Sequence, residues 1–404
     1  MNIRKASVLT IALAALALAA CATPHRLAPE PPASMAEANM GISNVRFLVA
    51  RDSTAFQAEA LSALAKEKAW LAAHGSPPEL APAYYLAISG GGDNGAFGAG
   101  LLNGWTASGT RPEFKVVTGV STGALIAPFA FLGPRYDASL EKFYTTISQK
   151  DIFKPRGMLK GVMGEAMADT TPLAKIIAQN TDQPLLDAIA AEYAKGRMLL
   201  VGTANLDSLE PVIWNMTAIA ASRTPGALQL FRSVLLASAS IPGAFPPVMI
   251  DVTIDGVQHQ EMHADGGTMA QVFVYPPSVN ADLLRQAAPR RRVLYVIRNA
   301  RLDSPWENVP RKTMSIAARA IGSLTTTQGV GDLYRIFATT ERDDVEFNLA
   351  YIPSTFRQHP EQQFDTAYMR ELYAFGRNLA ARGYNWEKLP PGFVRPVIAR
   401  SPTK

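Results

Sequence analysis

The chain has 404 residues, 48% of them hydrophobic and 18% charged, with a formal net charge of +5. That length carries one large or two ordinary domains with a sizeable core, and that composition excludes a disordered or collagen-like chain. Two of the positive charges are Arg4 and Lys5 at the start and no dense basic tract occurs, so no nucleic-acid partner is expected.

In chain order, residues 1–20 read as a secretory signal peptide. Arg4 and Lys5 precede an apolar stretch from Val8 to Ala20 that is too short to span a bilayer. Leu18-Ala19-Ala20-Cys21 resembles a bacterial lipobox, which implies a lipid on Cys21, the sole cysteine of the chain. Ala22 after it implies the outer membrane of the cell envelope, periplasmic side. Residues 21–40 are rich in Pro and Ala and lack periodicity, so a tether is expected. Residues 41–80 are expected to form an N-terminal helical extension. Its docking helix falls at 53–73, where Phe56, Leu61, Leu64 and Leu71 recur near helical spacing before Gly75, Pro77 and Pro78.

Beyond Pro82 strand and helix patterns alternate. Strands are predicted at 84–89, 114–120, 197–206, 211–216, 291–300 and 345–353. Helices are predicted from Asn94 onward, over 122–132, and at 184–195, 226–238, 311–340 and 362–382. Such alternation predicts an α/β fold with a mostly parallel sheet covered on both faces. Residues 81–275 would form its catalytic core and 276–404 complete the same domain. Residues 151–163 mix Ile, Phe, Met and Leu with Lys and Arg. They are expected as a half-exposed loop, with a flap or an interfacial contact as alternatives.

Gly119-Val120-Ser121-Thr122-Gly123 is G-x-S-x-G between a predicted strand and a predicted helix, where a tight turn lifts a serine oxygen above a sheet. The bare pattern is weak; the strand–turn–helix setting gives it weight. An activated serine needs donors for an oxyanion and a base. Gly90, Gly91 and Gly92, at the end of the preceding strand, offer backbone N–H groups. Two bases compete: Asp265, in Asp265-Gly266-Gly267, and His263, which would need Asp251 or Asp255 to orient it. His25, His74, His259 and His359 lie in the tether or beside turns and strand edges. No H-E-x-x-H or similar spacing occurs, so no metal is expected. Gly90, Gly92 and Gly95 also fit the dinucleotide pattern G-x-G-x-x-G. That reading wants an acid at the end of the next strand, which instead ends in the serine turn, while Glu113 precedes it; no cofactor is expected.

The motifs G-G-G-x-x-G-A at 90–96, G-V-S-T-G at 119–123 and D-G-G at 265–267 occur in an order that resembles the patatin-like phospholipases. Ala237-Ser238-Ala239-Ser240-Ile241-Pro242-Gly243-Ala244-Phe245-Pro246 is similar to that family's A-S-x-A-x-P-x-x-F-P block. The resemblance implies a three-layer α/β/α fold and a Ser–Asp dyad without a catalytic histidine. Ser121 would be the nucleophile, framed by Gly119 and Gly123, Asp265 the base, and Gly90, Gly91 and Gly92 the oxyanion hole. The substrate would be a phospholipid, lysophospholipid or other acyl ester at a membrane reached through the lipid anchor. Asp93-Asn94 departs from the cation many bacterial relatives carry after the glycines, which leaves head-group preference open. A lipid-binding lipoprotein without activity is the alternative.

Overall fold

The structure, a computed structural model, describes residues 25–37, 40–75, 79–157, 161, 164–303 and 306–395. The expected signal, Cys21 and the first residues of the tether lie outside them. The elements are β1 (Arg46–Leu48), α1 (Ser53–Ala73), β2 (Ala83–Ile88), α2 (Gly95–Ala107), β3 (Val116–Val120) and α3 (Thr122–Leu132). They continue with α4 (Asp137–Thr146), α5 (Gln149–Ile152), α6 (Thr171–Asn180), α7 (Gln183–Ala194), β4 (Met198–Asn205), β5 (Glu210–Asn215) and α8 (Met216–Ser222). The remainder are α9 (Ala227–Ser238), β6 (Val248–Ile254), β7 (Val257–Asp265), α10 (Ala281–Ala287), β8 (Arg292–Arg301), α11 (Thr313–Asp343), β9 (Glu346–Ile352) and α12 (Thr366–Ala380).

Five strands run parallel in the order β9-β8-β2-β3-β4, and β5 then β1 extend the sheet antiparallel beyond β4. The hairpin β6–β7 joins the same sheet through β7, which pairs with the end of β4. Every residue of β4 is buried, as expected of a strand covered on both faces. Alternation divides its side chains between two cores: Leu199 and Val201 face α2, α3 and α9, whereas Met198 and Leu200 face α1. Ala87, Leu294, Val296 and Leu349 pack against Leu333, Ile336 and Phe337 of α11. The expected mixed α/β architecture, a mostly parallel sheet between helices, is therefore present.

The α2–α12 contact is unusually close, and glycine makes it so. A Cβ on Gly100 or Gly104 would strike the Tyr373 or Arg377 carbonyl of α12, and one on Gly376 would come within 2.6 Å of the Phe97 carbonyl.

The N-terminal region differs from expectation in two ways. Residues 25–37 lie on the body: Arg26 pairs with Asp207 at 2.9 Å, and the Leu27 N–H donates to Gln260 Oε1 at 2.9 Å. Within 41–80 a strand, β1, precedes the docking helix. Three residues are too few for alternation to reveal them. The segment 151–163 is partly inside, with Ile152 and Phe153 buried, and residues 158–160 and 162–163 fall outside the described set. Among the described residues no helix is long and apolar enough to cross a membrane.

Candidate active site

Strand register alone brings the two sequence-predicted groups together. Val120 of β3 pairs with Gly202 of β4, and the next residue of β4, Thr203, pairs with Asp265 of β7. Ser121 and Asp265 thus end two strands that share β4 as neighbour. Ser121 sits at φ +55°, ψ −125°, a conformation strained for a residue with a side chain. Gly119 and Gly123 allow that turn, since a Cβ on Gly119 would strike the Gly123 carbonyl and one on Gly123 the Ile88 carbonyl. The Asp265 carboxylate accepts the Gly267 N–H at 2.7 Å and lies close enough to the Ser121 hydroxyl for that group to favour its ionised form. Burial pushes the Asp265 carboxyl up to about 6, and those two donors only partly offset it.

The glycine loop lies directly against this pair: a Cβ on Gly90 would sit 3.1 Å from the Ser121 Cβ. Gly91 and Gly92 have φ of +155° and +58°, which only glycine adopts freely. The Gly90 N–H donates to the Gln271 carbonyl at 3.0 Å, so in this conformation that amide is committed to backbone. Two residues outside the glycines fix the loop. Asn299, at the end of β8, accepts the Gly98 N–H at 3.0 Å and donates to the Ser89 carbonyl at 2.9 Å. Ser89 in turn donates to the Gly90 carbonyl at 2.7 Å. Sequence reasoning missed Asn299; a buried asparagine beyond the apolar run Val293–Ile297 is recognisable only from the structure.

The 237–246 block acts as a clamp on the pair. Ser238 Oγ accepts the Ser121 N–H at 2.9 Å and donates to the Gly202 carbonyl at 2.7 Å. The Ser240 carbonyl accepts the Asp265 N–H at 2.9 Å. One short segment therefore holds the backbone of both groups.

His263 is elsewhere engaged. Its Nδ1 meets Thr203 Oγ1 at 2.9 Å and its Nε2 meets Glu261 Oε2 at 2.8 Å, with Arg46 on the same carboxylate. Burial holds the ring below its ordinary pKa, in a wholly buried network with Trp214. Both ring nitrogens are thus used away from Ser121. Asp251 bonds Gln260 at the surface and Asp255 occupies the turn of the β6–β7 hairpin, so neither orients this imidazole. Among the described residues no group of three His, Cys, Asp or Glu side chains could hold a metal.

A small cavity of about 30 Å³ opens at Ser121. Gly92 and Thr122 stand with the serine at its polar end, and Leu125, Phe143, Ile147, Ile152, Leu173, Phe245 and Phe364 supply apolar walls. Larger cavities of about 110 and 260 Å³ lie across the sheet and do not include Ser121. The chemistry places the site at the smaller one.

Comparison with known proteins gives one informative match. Residues 86–276, just under half of the chain, match the family described as patatin-like phospholipase. No curated protein matches. Among solved structures, VipD from Legionella pneumophila is 10% identical with a TM-score of 0.35, covering 75% of this chain and 67% of its own. A human GIVD cytosolic phospholipase A2 is 10% identical with a TM-score of 0.27, covering 70% and 52%. ExoU with SpcU from Pseudomonas aeruginosa is 13% identical with a TM-score of 0.31, covering 76% and 54%. This chain spans about half the length of the latter two, and likenesses at such scores carry no argument.

Proposed function

We propose that this chain is a serine acyl hydrolase acting on lipid esters, with Ser121 as nucleophile and Asp265 as general base. The observation that carries the reading is a serine at φ +55°, next to a buried carboxylate, at the mouth of an apolar pocket. The patatin-like match over 86–276 encloses both residues. In the first step Asp265 takes the Ser121 proton as Oγ attacks the acyl carbonyl. The developing oxyanion is stabilised by the amides of Gly91 and Gly92, with Gly90 joining them if its bond to Gln271 opens. Collapse expels the alcohol, which recovers the proton from Asp265. Asp265 then deprotonates a water that attacks the acyl ester, and returns that proton to Ser121 Oγ as the acid is released. No histidine is needed for any of these transfers. Anchoring through a lipid on Cys21 would hold such an enzyme beside its substrate, a phospholipid, lysophospholipid or other acyl ester.

Ser121→Ala tests this. The variant should lose hydrolysis of a short acyl ester and all labelling by a fluorophosphonate while keeping the wild-type circular dichroism. Undiminished turnover by the variant would rule out the mechanism.

A further inference from the structure

Asp93 and Asn94 replace the charge expected after the glycines, and both side chains are spent on the start of α12. Asp93 Oδ2 accepts the Phe364 N–H at 3.2 Å, and Asn94 Oδ1 accepts the Tyr368 hydroxyl at 2.6 Å. Thr366 Oγ1 adds a third tie by donating to the Ile147 carbonyl at 2.8 Å. Phe364 is held at φ +54°, a conformation a phenylalanine does not adopt unless its surroundings enforce it. Its ring lines the cavity at Ser121 and meets Phe153 edge-on at 6.4 Å, and Phe153 packs on Phe245 at 5.4 Å. The cavity left in front of the serine is about 30 Å³. A long acyl chain does not fit there unless an aromatic wall moves.

We propose that Phe364, positioned by Asp93 and Asn94, is the end-stop of the acyl pocket and makes the enzyme selective for short acyl groups. The proposal rests on the acyl-hydrolase reading. Its physical content is a ruler: Gly92, at the polar end of the pocket, is followed directly by Asp93 and Asn94. One loop therefore sets both the position of the reacting carbonyl and that of the stop. Phe364 acts by excluding volume. Asp93 touches no substrate and is a positioning residue.

The test is kcat/KM of the purified chain against p-nitrophenyl acetate, butyrate, octanoate and palmitate. Wild type should be fastest on acetate or butyrate and fall on octanoate. Phe364→Ala should move the optimum to octanoate or beyond, gaining about fourfold for each added methylene the opened pocket buries. Phe364→Leu, a milder change in case the alanine variant does not fold, should shift the optimum the same way by less. Asp93→Ala should shift it too, whereas Asp93→Asn, which keeps an acceptor oxygen, should retain the wild-type profile. Superimposable profiles for wild type and a folded Phe364 variant, both labelled at Ser121 by a fluorophosphonate, would overturn the end-stop and leave the hydrolase reading intact. Absence of labelling and turnover in wild type would instead overturn the hydrolase reading, and the end-stop with it.

Discussion

At the scale of single residues, Asp265 carries opposed demands. Its carboxyl must be ionised to take a proton, yet burial raises it to about 6 from 3.8. Activity should therefore climb with pH through about 6 and level off above it, which a kcat/KM profile on a short ester would reveal. The stability consequence has the opposite sign. A carboxyl whose folded pKa is raised contributes stability below its unfolded value and loses it as pH rises through the folded one. Asp265→Asn removes that cost and should stabilise the protein at pH 8 by on the order of 2 to 3 kcal/mol while abolishing turnover. At pH 4 the gain should shrink towards zero, and an equal gain in urea melts at both values would contradict this account. His263 tells the same story in reverse. It shares β7 with Asp265 two residues away, but the sequence could not show that Glu261 and Thr203 occupy both its nitrogens.

At the scale of elements, the strands and longer helices were legible because each buries a regular pattern. Met198–Asn205 was expected at 197–206, and Ser53–Ala73 at 53–73. The hairpin partner β6 and the short helices α4, α6, α8 and α10 were not, since two or three turns give periodicity little to act on. The serine turn and the Asp-Gly-Gly turn were legible as motifs, but the clamp between them was not. Ser238 ends α9 within the 237–246 block, and its role becomes visible only when its hydroxyl is seen bridging the Ser121 N–H and the Gly202 carbonyl. Ser238→Ala would leave both buried groups without a partner, a loss of about 1 to 3 kcal/mol in urea unfolding. Because the Ser121 backbone is then unheld, kcat should fall more than KM rises. A variant with the expected stability loss and an unchanged kcat would reduce Ser238 to a packing role.

At the scale of the whole molecule, the composition of the N-terminal segment predicts a tether and gives no sign of where it touches the body. Besides Arg26 and Leu27, residues 25–37 are held by a buried acid, Glu30, set between Pro29 and Pro31. Glu30 is buried beside Glu261, and its Oε2 and the Glu261 Oε1 lack any donor unless one of the two carboxyls keeps a proton. Burial opposes ionisation of Glu261, but His263 and Arg46 outweigh it and hold that carboxyl well below its ordinary range. The proton therefore belongs to Glu30, whose pKa burial and the Glu261 neighbour raise to about 7 from 4.5. The charged or titratable groups facing Glu30 are Glu261 and Arg46, with His263 behind them on Glu261. A raised carboxyl supports docking fully below its unfolded value and loses that support as pH rises through about 7. Hydrogen exchange in residues 25–37, corrected for intrinsic rates, should thus be slow at pH 5 and faster at pH 9, while the central strands stay protected at both. Glu30→Gln keeps a donor for Glu261 without a titrating group and should hold the segment equally at the two values. Equal protection of wild type at pH 5 and pH 9 would show that Arg26 and Leu27, through Asp207 and Gln260, suffice to fasten the segment and that Glu30 has no part in it.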